Sequence, residues 1–114
     1  MPLGVDVDLG DRRGAASSAA GLALVREAFE RSGFSVGHNL RFQGGWTVKR
    51  VGLLSGVDAV QVELNQRVYL DPAQADDPAS VPDPHPEVLA AAAERLERVI
   101  ADLNRVWAAT TDSA

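Results

Sequence analysis
Glu63 lies in the run Ala59-Val60-Gln61-Val62-Glu63-Leu64-Asn65, where apolar and polar residues alternate. A two-residue period turns Val60, Val62 and Leu64 to one face and Gln61, Glu63 and Asn65 to the other. Ligands of open α/β sheets sit beyond the carboxyl ends of strands, and Glu63 is near such an end. A carboxylate beside a metal-bound water can take its proton and pass it to a leaving amine. On the residues alone, Glu63 reads first as a solvated group on an outer strand face. Gln61 and Asn65 can hold that carboxylate or a substrate, or simply face water. Arg67, Lys49 and Arg50 can pair with a substrate carboxylate, the arginines in bidentate fashion. Gly44 and Gly45 permit close backbone approach to a ligand, or form a tight turn. His38 and His85 are the only histidines. Neither has His-x-x-Glu spacing, so both read as structural or exposed. There is no Walker-type loop, no dinucleotide fingerprint and no Ser-His-Asp arrangement.

These residues need elements to position them. Val5-Asp6-Val7-Asp8-Leu9 alternates apolar and acidic residues before Gly10, which predicts a short strand. Ser17 or Ser18 can cap a following helix, with Leu22, Val25, Ala28 and Phe29 at helical spacing and Gly33 as its stop. Phe34-Ser35-Val36 and Trp46-Thr47-Val48 read as second and third strands, and Gly52 and Gly56 bracket a turn. Val57 to Asn65 reads as the longest strand. Residues 71–86 carry five of the six prolines and four aspartates, which predicts a loop. Pro86 suits a first helical position. After it, Leu89, Ala92, Leu96, Val99, Leu103 and Val106 make one apolar stripe, widened by Ile100 and Trp107. About 22 residues give a rod of roughly 33 Å, fraying from Thr110.

The chain of 114 residues fits one α/β domain, 1–114, with the Pro/Asp-rich loop inside it. Two main helices are too few to cover both faces of about four strands. The expected architecture is therefore a partial three-layer sheet with one mid-chain helix and one long C-terminal helix. Sixteen acidic residues outnumber eleven basic ones, for a net charge of −5. That balance argues against nucleic-acid or membrane-surface partners, which need a basic face. No cysteine is present, which excludes disulfides and thiolate metal sites. No apolar run approaches the ~20 residues of a membrane span, and the first residues lack a signal-peptide core. The expectation is a soluble cytoplasmic protein.

Four segments resemble the N-formylglutamate amidohydrolase family. Leu9-Gly10-Asp11-Arg12-Arg13-Gly14 is similar to its Leu-Gly-Asp-x-x-Gly turn. Gly33-Phe34-Ser35-Val36-Gly37-His38-Asn39 resembles its Gly-apolar-x-Val-x-x-Asn segment. Phe42-Gln43-Gly44-Gly45-Trp46 resembles its aromatic-x-Gly-Gly-aromatic turn. Gln61-Val62-Glu63-Leu64-Asn65 with Tyr69-Leu70-Asp71 resembles its Gln-x-Glu-x-Asn…Tyr-Met-Asp signature. The resemblance implies a zinc-carboxypeptidase-like α/β hydrolase that splits N-formylglutamate into formate and glutamate during histidine breakdown. It makes Glu63 the general base and a small acidic N-acyl amino acid the substrate. The family's zinc ligands lie in an amino-terminal half upstream of these motifs, so no metal or cofactor is expected to bind this chain itself. Three positions depart from the pattern. Gln66 stands where the family commonly has Arg, with Arg67 one later; Val48-Lys49 replaces Thr-Arg; Asp58 replaces a His before the strand.

Two readings follow. The first is the C-terminal part of such a hydrolase, inactive alone and paired with a missing amino-terminal half. The alternative is a non-catalytic small α/β protein that self-associates through its long helix or binds an acidic amino acid.

Overall fold
The computed structural model describes residues 4–41, 43–54, 56–70 and 86–112, with the side chains of the last helix described through Val106. The Pro/Asp-rich loop and His85 lie outside the described residues.

Strand β1 spans Val7–Gly10, helix α1 Ala19–Arg31, strand β2 Val36–His38, helix α2 Trp46–Val51, strand β3 Gln61–Leu64 and helix α3 Pro86–Asp112. A 3-10 turn at Gln66–Val68 follows β3. The sheet order is β2-β1-β3. β1 and β2 are parallel, as a helical crossover through α1 requires. β3 runs antiparallel to β1, with Asp8 opposite Glu63 and Gly10 opposite Gln61.

The alternation read in β1 decides the layering. Val7 and Leu9 are fully buried and pack with Ala28 and Phe29 of α1, Ala92 and Val99 of α3, and Phe34 and Val68. Asp8 therefore points to the opposite face, and Glu63 with it. Both long helices lie on one face, and the described residues form three strands, not about four. Ser18 caps α1 by accepting the Gly21 N–H, and Gly33, at φ +86°, follows its C-cap. Arg31 pairs with Asp102, and Arg95 stacks its guanidinium 3.8 Å from the Phe34 ring centre while donating to the Ser32 carbonyl. These contacts clamp α3 across α1.

Four sequence expectations change. Trp46-Thr47-Val48 opens a helix, not a strand. β-branched residues favour strands only where a sheet edge receives them, and here Val48 packs instead into a small cluster with Ala16 and Ala59. Trp46 stays exposed, with Arg50 one turn on above its ring. The strand expected over Val57–Asn65 shrinks to Gln61–Leu64, because its first residues are held elsewhere: Asp58 binds Ser18, and Ala59 donates to the Ala16 carbonyl. The second strand starts two residues late, at Val36. The last helix spans 27 residues, Pro86–Asp112, rather than about 22, while Leu89 and Ile100 of its stripe remain exposed. Among the described residues no helix is long and apolar enough to cross a membrane.

Candidate functional site
The face of the sheet turned away from α1 and α3 carries Asp8, Gln61 and Glu63. Asp8 is fully buried, and its two carboxylate oxygens accept the Leu40 and Arg41 backbone N–H groups at 3.1 and 3.0 Å. Those bonds offset the cost of burying its charge. Glu63 is half-buried directly across from it. Gln61 holds Glu63 in place: its Nε2 donates to Glu63 Oε1 at 2.9 Å, and its Oε1 accepts the Gly45 N–H at 3.0 Å. Glu63 Oε2 makes no hydrogen bond among the described residues. The arrangement leaves one carboxylate oxygen fixed by an amide and the other open to exchange a proton.

The glycine pair serves this chain of bonds. Gly44 has φ +103°, a conformation that side chains resist. A Cβ there would also come within 3.1 Å of the Val48 side chain. The Gln43 carbonyl accepts the Arg12 N–H at 2.6 Å, which sets the turn over the carboxyl end of β1. The Gly45 N–H is thereby aimed at Gln61 rather than at a ligand.

The other expected site residues scatter. Asn65 follows the last residue of β3. Its Oδ1 accepts the Arg67 N–H and its Nδ2 donates to the Val5 carbonyl, so it caps the 3-10 turn instead of joining Glu63. Arg67 lies 3.5 Å from Asp6 and lines a hollow against α3 with Val88 and Ala92. Lys49 projects from the last turn of α2, exposed and without an ion-pair partner among the described residues. Arg50 stacks on Trp46. Because β3 is antiparallel, its own carboxyl end lies beside the start of β1. The residue that links Glu63 to the carboxyl edge of the parallel pair is Gln61, opposite Gly10.

A second polar centre, not read from the sequence as a site, occupies that edge. Asp11 is 2% exposed. Its Oδ1 accepts from the Gly14 N–H at 3.0 Å, from Asn39 Nδ2 at 2.9 Å and from His38 Nε2 at 2.8 Å; its Oδ2 accepts from the Ser17 hydroxyl at 2.9 Å. Burial alone raises its pKa. The bonds from Asn39, His38, the Gly14 backbone and Ser17 together outweigh that and hold it at about 2. Asn39 closes the knot by accepting the Asp11 N–H. Arg12, Arg13 and Gly14 are all left-handed, at φ 58°, 57° and 87°. Such backbone persists only where its surroundings over-determine it, and Asp11 supplies that restraint. The Asp-x-x-Gly spacing was the available signal, since an aspartate readily accepts an N–H a few residues on. None of these bonds reaches Gln61 or Glu63, so Asp11 ties loops together at the edge of the face that carries Glu63.

Among the described residues no group of three or more His, Asp or Glu side chains could hold a metal ion. His38 donates to Asp11, and the two buried aspartates already accept from N–H and O–H donors. The described residues therefore do not fit the zinc that the resemblance implies.

A family model described as N-formylglutamate amidohydrolase matches residues 3–70. No curated protein matches the chain. Among solved structures, the crystal structure of N-formylglutamate amidohydrolase from Ralstonia eutropha JMP134 is similar, with a TM-score of 0.69 at 17% identity. That alignment covers 96% of this chain and 36% of the other. The likeness shows a shared fold, and this chain spans little more than a third of that relative's length.

Proposed function
The chain belongs to the N-formylglutamate amidohydrolase family, and from that membership we propose that it forms part of a hydrolase that cleaves the formyl amide of N-formylglutamate or a related acidic N-acyl amino acid. The products are formate, or the corresponding acid, and the free amino acid. Glu63 acts as the general base. Its open Oε2 accepts a proton from the attacking water, and the same proton goes to the amine nitrogen as the C–N bond breaks. Gln61 positions the carboxylate by its bond to Oε1. The observation that carries this reading is the bond chain from Gly45 through Gln61 to Glu63, which fixes one oxygen and leaves the other without a partner among the described residues. Lys49, on the helix that follows the Gly44–Gly45 turn, is the cation best placed in sequence and charge to meet a substrate carboxylate.

A zinc-carboxypeptidase-like fold, a zinc ion held by ligands other than the described residues, and a cytoplasmic place in histidine breakdown belong to the same proposal. So does the inactivity of residues 1–114 by themselves. The purified chain is expected to bind no stoichiometric zinc and to release no formate. Co-expressed with the metal-binding part of a family member, it should gain formate-releasing activity. In that preparation Glu63→Gln should lower kcat by about 10²–10⁴-fold, the usual scale for removing a general base. An unchanged kcat would remove Glu63 from the chemistry. Zinc bound one-to-one by residues 1–114 alone would overturn the proposed division of labour.

A further inference from the structure
The Gly44–Gly45 peptide group is held at both ends. Its N–H donates to Gln61 Oε1 at 3.0 Å, and Gln61 in turn holds Glu63. Its carbonyl oxygen accepts from Arg12 Nη1 at 3.4 Å. A trans peptide is a rigid plane whose C=O and N–H point in opposite directions, so a donor that fixes the oxygen also aims the hydrogen. This plane needs such a restraint. Turning it over carries the Gly45 φ from −93° towards the mirrored value, which glycine adopts about as readily. The residue on the other side of the plane is glycine too, at φ +103°. A turned plane would take the N–H away from Gln61, and Gln61 would lose the bond that sets its amide towards Glu63.

The conformation of Arg12 is set from outside this turn. The bonds to Asp11 hold residues 12–14 left-handed. In that conformation Arg12 presents its backbone N–H to the Gln43 carbonyl at 2.6 Å and its guanidinium to the Gly44 carbonyl. We propose that Arg12 is a positioning residue: its guanidinium latches the Gly44–Gly45 peptide in the orientation that seats Gln61 and, through it, Glu63. The inference rests on the reading of Glu63 as the base, and it links the Asp11 knot to that base through one side chain. A charged donor makes a stronger bond than a neutral one. The carbonyl it polarises also strengthens the N–H bond on the far side of the same peptide. Gly45 offers a way to replace the latch. Among the described residues a Cβ on Gly45 would meet only Gln61 Oε1, at 3.7 Å, an ordinary contact. Alanine there fits the latched plane and resists the turned one, whose φ is positive.

Amide hydrogen exchange in the isotope-labelled chain, read by NMR, tests the latch without any need for catalysis. Arg12→Gly removes the guanidinium and suits the left-handed backbone, so the thermal midpoint should hold or rise. The Gly45 amide should nevertheless exchange about tenfold faster, the scale of one lost hydrogen bond. The Asn39 amide, bonded to the Leu9 carbonyl at 2.7 Å, should keep its rate. Adding Gly45→Ala to Arg12→Gly should slow the residue-45 amide again, after correction for its intrinsic rate. In the formate-releasing preparation Arg12→Gly should lower kcat about tenfold, by the same lost bond, and leave KM alone. An unchanged Gly45 rate in Arg12→Gly overturns the proposal. So does an equal rise at Asn39, which would make Arg12 a general support of the fold, and so does a double variant that exchanges as fast as the single one. A kcat unmoved by Arg12→Gly where Glu63→Gln lowers it overturns it as well. If the exchange results hold and Glu63→Gln leaves kcat unchanged, the latch on Gln61 stands and the reading of Glu63 as the base falls.

Discussion
Replacing Asp11 with Asn should expose how far one buried carboxylate holds the carboxyl edge of the sheet together. The amide keeps the shape of the side chain, and its oxygen can still accept from Gly14, Asn39 and His38. Its NH₂ meets the Ser17 oxygen, which can rotate to accept. What is lost is the charge. Asp11 is held from an ordinary value of 3.8 down to about 2, which corresponds to about 2 kcal/mol of folding stability. A domain of this size has about 5–15 kcal/mol in all, so the effect is measurable. The sign follows from the direction of the shift. A lowered folded pKa gives stability that is complete above the ordinary value and fades as pH falls through the folded one. Urea titrations at neutral pH should therefore separate wild type from Asp11→Asn by about 2 kcal/mol. The gap should narrow steadily between 3.8 and about 2. Other carboxylates titrate over the same range, but they do so in both proteins and cancel in the difference. Equal stability at neutral pH, or a gap that does not change with acid, would refute the assignment of Asp11 as the charged centre of the knot.

Two further substitutions test local packing. Ser18→Ala removes the acceptor for the Gly21 N–H and a hydroxyl bond to Asp58; thermal melts should show a loss of about 1 kcal/mol, and no loss would mean α1 needs no side-chain cap. Gly52→Ala would place a Cβ 2.8 Å from the Ala16 Cα and 2.9 Å from the Val48 carbonyl oxygen, both backbone atoms that cannot swing aside. It should cost about 1–3 kcal/mol in denaturant titration, the scale of overpacking, and a neutral result would show that the loop before α1 moves freely against α2.

Local pattern was enough where one face of an element meets the core. The alternation around Val7 and Leu9 marked β1, and the spacing of Ala92, Leu96, Val99 and Leu103 marked α3, because burial on one side imposes a period that the residues themselves display. Period two also paired Gln61 with Glu63 on one face, and the four motif segments named the family. Asn65 shows the limit of that reasoning. The same period put it beside Glu63, but the strand ends at Leu64, and its side chain turned back to Val5.

Tertiary structure decided what depends on segments far apart in the chain. Trp46–Val51 became a helix whose Val48 packs against Ala16 and Ala59, residues distant from it in the chain. β3 was shortened because Ser18 and Ala16 claimed Asp58 and Ala59. Asp8 and Glu63 came face to face, and Gln61 met Gly45, only through the antiparallel register. Arg67 was drawn to Asp6 at the far end of the strand. A hydrophobic period is a property of neighbours along the chain, and these residues record it. Hydrogen bonds between residues 16 to 60 positions apart depend on where the backbone has been carried, which no short run of residues contains.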